Sequence, residues 1–311
     1  MNKVRYKYLE TICKAVENNA EAVIVSSDYA APVLDDYRKN HSDRYVSVGI
    51  AEQNLIQVSC GLALSGETAI AYGMAPFPCI RAVDQIKNAA SMMHLPISIV
   101  SAGVGFAIPE FGATHYCAED LAIMRTIPNI RIINLTDETM AVKAAELAFT
   151  TQDPLYIRID KYSDGVLYKE NEIDFKRGFS VIREGTDIVL LASGYYTVRM
   201  IAIAEKLFAD HNISTKVVDV YSMPFDYSEL LNALTGYPHI FTVEEHVLTG
   251  GLGSAVLEFA NDVDLSSHIH RIGIDFNHSY PSCFGNREFF MKKYGLDDHS
   301  IISKILSEAG E

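Results

Sequence analysis

The sequence predicts an α/β protein of two domains: a doubly wound, mostly parallel-sheet domain, then a smaller α/β domain. Three observations carry this. Short runs of β-branched and aliphatic residues alternate with amphipathic stretches of helical length. The runs are apolar throughout, as strands covered by helices on both faces are. One polar, weakly patterned stretch interrupts the alternation, so the predicted division is 1–165, a linker at 166–178, and 179–311.

In the first domain, strands are expected at Ala22–Val25, Arg44–Val48, Thr68–Ala71, Ile97–Val100, Ile130–Ile133 and Leu155–Arg158. Helical periodicity is expected at Lys7–Asn18, Asn54–Leu64, Ile80–Met93, Asp120–Arg125 and Glu138–Phe149. In the second, strands are expected at Ile188–Leu191, Thr215–Val220, Ile240–Val243 and His268–Ile272. Helices are expected there at Val198–Phe208, Gly253–Asn261 and His299–Ser307. No short-period repeat or low-complexity tract is present.

Composition narrows the function classes. With 311 residues, 49% apolar and 21% charged, the chain can bury a full-sized core. A net charge of -14 argues against a nucleic-acid surface. No run is long and apolar enough for a bilayer span, and the basic start Met1–Lys7 lacks the apolar core of a signal peptide. Five scattered cysteines fit no zinc or CxxC spacing and read as reduced thiols, so a cytoplasmic protein is expected.

The most informative residues are Gly49-Ile50-Ala51-Glu52-Gln53, between a strand-like run and a helix-like run. Open α/β sheets place ligands at the carboxyl ends of their strands, so Glu52 is a candidate for proton exchange with a bound heterocycle. A helix-start carboxylate stabilised by the helix dipole is the plain alternative. Gly250-Gly251-Leu252-Gly253 either binds an anion at a helix start or serves tight packing there. Gly103-Val104-Gly105 reads as a close-approach loop or a turn.

Several segments together resemble the C-terminal section of the transketolase family. These are VGIAEQNLIQVSCGLAL (48–64), APFPCIRAVDQIKNAA (75–90), FGATHYCAEDLAIMRTIPN (111–129), PLYIR (154–158), FTVEEHVLTGGLGSAV (241–256) and RIGI (271–274). The resemblance implies a pyrimidine-binding domain plus the family's C-terminal domain. It also implies the cofactor thiamine diphosphate with Mg²⁺. The family's Gly-Asp-Gly motif for the diphosphate and metal is missing from this chain. A separate N-terminal-section subunit is therefore expected to hold both, in an α2β2 assembly, with no metal ligand supplied here.

Residue roles follow from the same resemblance. Glu52 matches the glutamate that bonds a ring nitrogen of the aminopyrimidine, favouring the tautomer that accepts the thiazolium proton. Phe77 matches the aromatic platform under that ring, and Asp28 an aspartate near the cofactor. His115 matches a histidine facing substrate and reactive carbon, while Arg158 and Arg5 match substrate-phosphate ligands. A surface charge is the alternative for Arg5. Three positions depart from the sugar-phosphate enzymes of the family: Gly103 where a histidine stands, Phe111 where an aspartate precedes Gly-x-Thr-His, and Pro32 where a serine stands. Phe111 makes the substrate site less polar.

The expected activity is thus transfer of a two-carbon ketol unit from a ketose, phosphorylated or otherwise modified, to an aldose. Two alternatives are the β subunit of a 2-oxo acid decarboxylase/dehydrogenase component and a non-catalytic assembly subunit. Thr114-His115 and Arg158 favour the first reading.

Overall fold

Helix α1 (Lys3–Asn18) shows the expected helical periodicity, with Val4, Tyr8, Leu9, Ile12 and Val16 all buried. It starts four residues earlier than the apolar pattern predicts, so Arg5 lies inside the helix rather than before it. The computed structural model describes residues 3–18, 21–29, 31–163, 165–276 and 279–310. Met1 and Asn2 of the basic start lie outside the described residues. The chain divides into two compact units. One is Met1–Val104 with Ile123–Asn171, and the other Gly105–Ala122 with Glu172–Glu311.

In the first unit, six strands pair in parallel: β1 (Ala22–Ser26), β2 (Tyr45–Ser47), β3 (Thr68–Met74), β4 (Ile97–Ala102), β5 (Arg131–Asn134) and β6 (Leu155–Ile159). Their order is β2-β1-β3-β4-β6-β5. The strand order reverses at β1, so β1 and β3 flank the topological switch point where ligands bind in open α/β sheets. Strands β1, β4 and β6 are buried at every residue, the sign of helical cover on both faces. The helices are α2 (Pro32–Asn40), α3 (Glu52–Leu64), α4 (Phe77–Ile80), α5 (Val83–Gln85) and α7 (Glu138–Leu147), while α6 (Asp120–Met124) spans the chain boundary between the units at Ala122 and Ile123. Pro32 starts α2 at a position that needs no backbone donor. Asp137 caps α7 through the Met140 amide, and its other oxygen accepts from Leu167 and Tyr168.

The helix expected across Ile80–Met93 is broken. Helix α4 ends at Ile80, Ala82 departs to φ -113° and ψ 16°, and α5 is followed by a π-type turn over Ile86–Ser91. Ala82 is fully buried, so packing rather than helical propensity fixes its backbone. The break leaves Arg81 at the end of the short helix α4.

The second unit holds β7 (Phe179–Arg183), β8 (Ile188–Ala192), β9 (Thr215–Val220), the two-residue β10 (Ser222–Met223), β11 (His239–Val247) and β12 (His268–Ile274). A sheet runs β12-β11-β8-β9-β7, parallel except for the β7–β9 pair. Its helices are α8 (Tyr195–His211), α9 (Tyr227–Leu234), α10 (Leu252–Asp262), α11 (Arg287–Lys293) and α12 (Asp298–Ala309). The core includes Leu190, Met200, Ile203, Phe241, Phe290 and Ile301. Phe106 joins it, stacked on Phe290 at 5.0 Å and edge-on to Tyr116 at 5.1 Å. A fully buried phenylalanine contributes roughly 1.5–3 kcal/mol, enough to tie Gly105–Ala122 to this unit.

Three histidines meet where β11 pairs with β12. His239 lies opposite His268, and its ring is 5.2 Å from that of His270. Burial pulls the His270 pKa below the ordinary imidazole value, against Glu308, which raises it; His239, His268 and Lys304 lower it further. A histidine depressed in the fold favours folding while neutral. Its contribution is therefore full above the unfolded value of about 6.5 and is lost as pH falls through the depressed value. Thermal melts between pH 7.5 and 5 should show falling stability on the acid side, with a shallower fall in His270→Gln.

All five cysteines are free thiols, four of them buried. Burial pushes Cys13 up to about 12, with Glu17 and Glu10 adding to it, and Cys60 up to about 11. No helix among the described residues is long and apolar enough to cross a membrane.

Candidate active site

The carboxyl ends of three neighbouring strands, β2, β1 and β3, lead to Glu52, Asp28 and Phe77. The chain leaves β2 at Ser47 and reaches Glu52 at the first turn of α3. Glu52 is 2% exposed. The helix N-terminus favours its negative charge, and a buried carboxylate needs a partner. Arg81 supplies one: its Nη1 donates to Glu52 Oε2 at 2.5 Å. The same guanidinium lies over the ring of Phe77, 4.4 Å from its centroid. Phe77 opens α4 after β3 and is half-buried. Glu52 and Phe77, assigned separately from the sequence, are thus joined through one planar cation.

Asp28 follows β1 and is exposed, with φ +58°. This left-handed conformation is tolerated by aspartate better than by most residues. Arg5 is not a surface charge. It is 9% exposed, donates to the Tyr72 hydroxyl and lies 4.4 Å over the Tyr29 ring. Tyr29 and Tyr72 stack at 5.6 Å, so the cation is held by aromatic faces as well as oxygen. Burial drives the Tyr72 hydroxyl pKa well up against the opposing pull of Arg5, so the phenol stays neutral. Arg158 lies in β6, 4% exposed, in register with Ser101 of β4 and Asn134 of β5. Gly103 follows β4 with φ +98°.

His115 and Phe111 belong to the second unit. The Thr114 hydroxyl and His115 Nδ1 are 3.0 Å apart, and the Phe111 ring is 5.1 Å from the imidazole. Phe111 is 57% exposed, which packing alone does not explain for so large a ring. Gly112, with φ +79°, turns the chain between them. A few residues on, desolvation raises the Glu119 carboxyl pKa, and the Tyr280 hydroxyl bond opposes that rise. Glu119 and Asp120 precede and open α6, the helix-start pair that the sequence suggests.

The Gly250-Gly251-Leu252-Gly253 loop has its own anion. Glu244 reaches from β11 to accept from the amides of Leu252 at 2.6 Å and Gly253 at 2.8 Å, capping α10. A Cβ on Gly251 would lie 2.1 Å from Glu244 Oε2, so glycine is required for this close approach. The loop thus serves intramolecular capping. No sequence signal pointed to this partner. Arg81 as partner to Glu52 also escaped the sequence reading, although one signal was available: Arg81 follows Phe77 by four residues, a spacing that puts two side chains on one helical face.

Among the described residues, no group of three or more His, Cys, Asp or Glu side chains is placed to hold a metal ion. A planar aromatic beside a buried carboxyl suits a flat heterocycle with ring nitrogens, which is the chemistry of an aminopyrimidine.

Comparison with known proteins gives the family. Residues 3–163 match the transketolase pyrimidine binding domain, and residues 179–301 the transketolase C-terminal domain. The chain belongs to the transketolase family. It is 29% identical over 311 residues to a Methanocaldococcus jannaschii protein provisionally named a transketolase C-terminal section, covering 98% of this chain and 96% of that one. It is 30% identical over 303 residues to an apulose-4-phosphate transketolase subunit from Actinobacillus succinogenes, covering 96% of each. A solved structure described as a split gene transketolase, inactive beta4 tetramer, superposes with a TM-score of 0.84 at 26% identity. It covers 98% of this chain and 97% of that one. The two α/β domains are those of the family, and the chain is a transketolase-type subunit of a transferase-type enzyme.

Proposed function

We propose that this chain is the C-terminal subunit of a two-chain, thiamine-diphosphate-dependent transketolase. It transfers a two-carbon ketol unit from a ketose, phosphorylated or otherwise modified, to an aldose. A separate subunit carrying the diphosphate-binding domain holds the diphosphate and Mg²⁺, in a cytoplasmic α2β2 assembly. The observation that carries the reading is Glu52, buried at the sheet's carboxyl edge and linked through Arg81 to the face of Phe77.

The cofactor, when bound, supplies the carbanion-stabilising chemistry. Glu52 holds and exchanges a proton at a ring nitrogen of the pyrimidine. Phe77 offers the ring a platform worth about 0.5–1.5 kcal/mol. Asp28, which follows β1, would contact the cofactor. His115 donates to developing oxyanion charge on the substrate or moves a proton there, oriented by its Thr114 contact. Phe111 gives the sugar an apolar wall. Arg158 and Arg5 are assigned to a substrate phosphate. The division 1–165, linker 166–178 and 179–311 is kept as the domain plan.

The test is co-purification of this chain with the product of the neighbouring gene. The complex is assayed with thiamine diphosphate, Mg²⁺ and a panel of ketose donors. Ketol transfer only when both chains are present supports the reading. Release of CO₂ from a 2-oxo acid instead would replace it with the decarboxylase alternative. Unchanged turnover in the Glu52→Ala complex would leave the assembly role. In an active complex, His115→Ala should lower kcat/KM for the donor by about 10²-fold or more while leaving cofactor affinity near wild type. A selective loss of cofactor affinity would contradict that assignment.

A further inference from the structure

The loop carrying Phe111 and His115 has a second aromatic neighbour in its own unit. Phe284 lies on the segment before α11, and its ring edge rests on Gly112. A Cβ at Gly112 would meet Phe284 Cε1 at 3.0 Å and Cζ at 3.7 Å. Glycine at this position, with φ +79°, thus serves both the turn and the close approach of the ring. Phe111 adjoins the same turn, 5.1 Å from the His115 imidazole. The segment bearing Phe284 is held on both sides. Before it, the Tyr280 hydroxyl donates to the Glu119 carboxylate, just beyond His115. After it, Gly285 lies so close to Phe289 of α11 that a Cβ would collide with that ring, and Asn286 caps the helix through the Phe289 amide. The backbone is therefore anchored, yet Phe284 is 76% exposed and Phe111 57%. Packing alone does not account for two anchored aromatics that stand open to water side by side. Phenyl faces suit C–H and methyl groups and offer a hydroxyl no acceptor of ordinary strength.

We propose that Phe284 is a specificity-determining residue of the substrate site. With Phe111 it forms an aromatic wall beside His115 that favours a sugar bearing hydrogen or methyl where a common sugar bears hydroxyl. This deepens the ketol-transfer reading above and rests on it. The same wall explains why apolar character at Phe111 does not stand alone: the chain sets a second ring on the glycine next to it. A hydroxyl pressed against two phenyl rings loses its water without gaining a partner, whereas a methyl gains from leaving water. An apolar wall of this kind discriminates by about tenfold to 10²-fold. The preference belongs to binding, so it falls mainly on KM.

The experiment uses the complex of this chain with its diphosphate-binding partner, loaded with thiamine diphosphate and Mg²⁺. The most active ketose of the donor panel is paired with three aldehyde acceptors: D-glyceraldehyde and its two deoxy forms, D-lactaldehyde and 3-hydroxypropanal. Wild type, Phe284→Ala and Phe284→Leu are compared in kcat and KM, with the elution volume of each complex. Wild type should prefer at least one deoxy acceptor over D-glyceraldehyde by about tenfold in kcat/KM. Phe284→Ala should bring that ratio near one, chiefly by raising KM for the deoxy acceptor, with the complex eluting as wild type does. Phe284→Leu, which keeps apolar bulk, should retain most of the preference. A wild-type preference for D-glyceraldehyde, or a ratio unchanged in Phe284→Ala, overturns the specificity role while ketol transfer stands. Weakened assembly in Phe284→Ala with the ratio unchanged overturns it too and gives the ring to a subunit interface. If no donor yields ketol transfer to any of the three aldehydes, the function reading fails and the proposal falls with it.

Discussion

Glu52→Gln should reduce the proposed ketol transfer by the proposed two-chain complex by about 10²–10⁴-fold, the range usual for a lost acid–base group. Glutamine preserves the shape of the side chain and can still accept a hydrogen bond from Arg81. It cannot exchange a proton with a ring nitrogen at neutral pH. The loss should therefore appear in kcat, while the elution volume of the assembled complex stays that of wild type. Near-normal turnover would refute the role. Because Glu52 opens α3 and is buried, a shift in assembly alone would instead mark it as a structural carboxylate.

The second large effect is on stability. Arg287 opens α11 and grips Glu245 of β11 through Nε at 3.0 Å and Nη2 at 2.9 Å, with both side chains under 10% exposed. The guanidinium carbon also lies 4.0 Å from the Tyr195 ring centroid. Glu245 in turn accepts from the Phe106 amide at 2.5 Å. Arg287→Ala leaves that carboxylate buried without its cation, so unfolding free energy should drop by about 3–5 kcal/mol, read by urea denaturation. Replacing both partners, Glu245→Gln with Arg287→Met, should be less damaging than the single change, since no orphan charge remains. A single-variant loss under about 1 kcal/mol would show that the pair is solvated in solution.

The alternation of apolar runs and helical stretches revealed most of the parallel sheets, because strands buried on both faces leave an unmistakable run of Val, Ile and Ala. Elements without that mark were missed. Strand β7 is half-exposed and antiparallel, and α2, α9 and α11 are short. The broken helix after Phe77 was hidden because the burial of Ala82, not local preference, interrupts it. The candidate site was legible where a motif tied a residue to a strand end, as with Glu52. It was not legible where the partner comes from another element. Glu244 reaching the α10 amides, Arg5 enclosed by Tyr29 and Tyr72, and Arg81 on Glu52 are contacts made only when distant segments meet.

Phe106 has a consequence for anyone who would recombine this protein with its relatives. Its ring fills the core of the unit that otherwise begins at Glu172, and it enters from a loop that follows β4. Gly105, at φ +64°, leaves room there for Glu245, which a Cβ would meet at 2.7 Å. A chimera spliced at the polar stretch after β6 would thus import one parent's aromatic into the other parent's core. Compatible hybrids should be those that exchange Gly105–Ala122 together with the C-terminal part, an inheritance unit that is discontinuous in the gene.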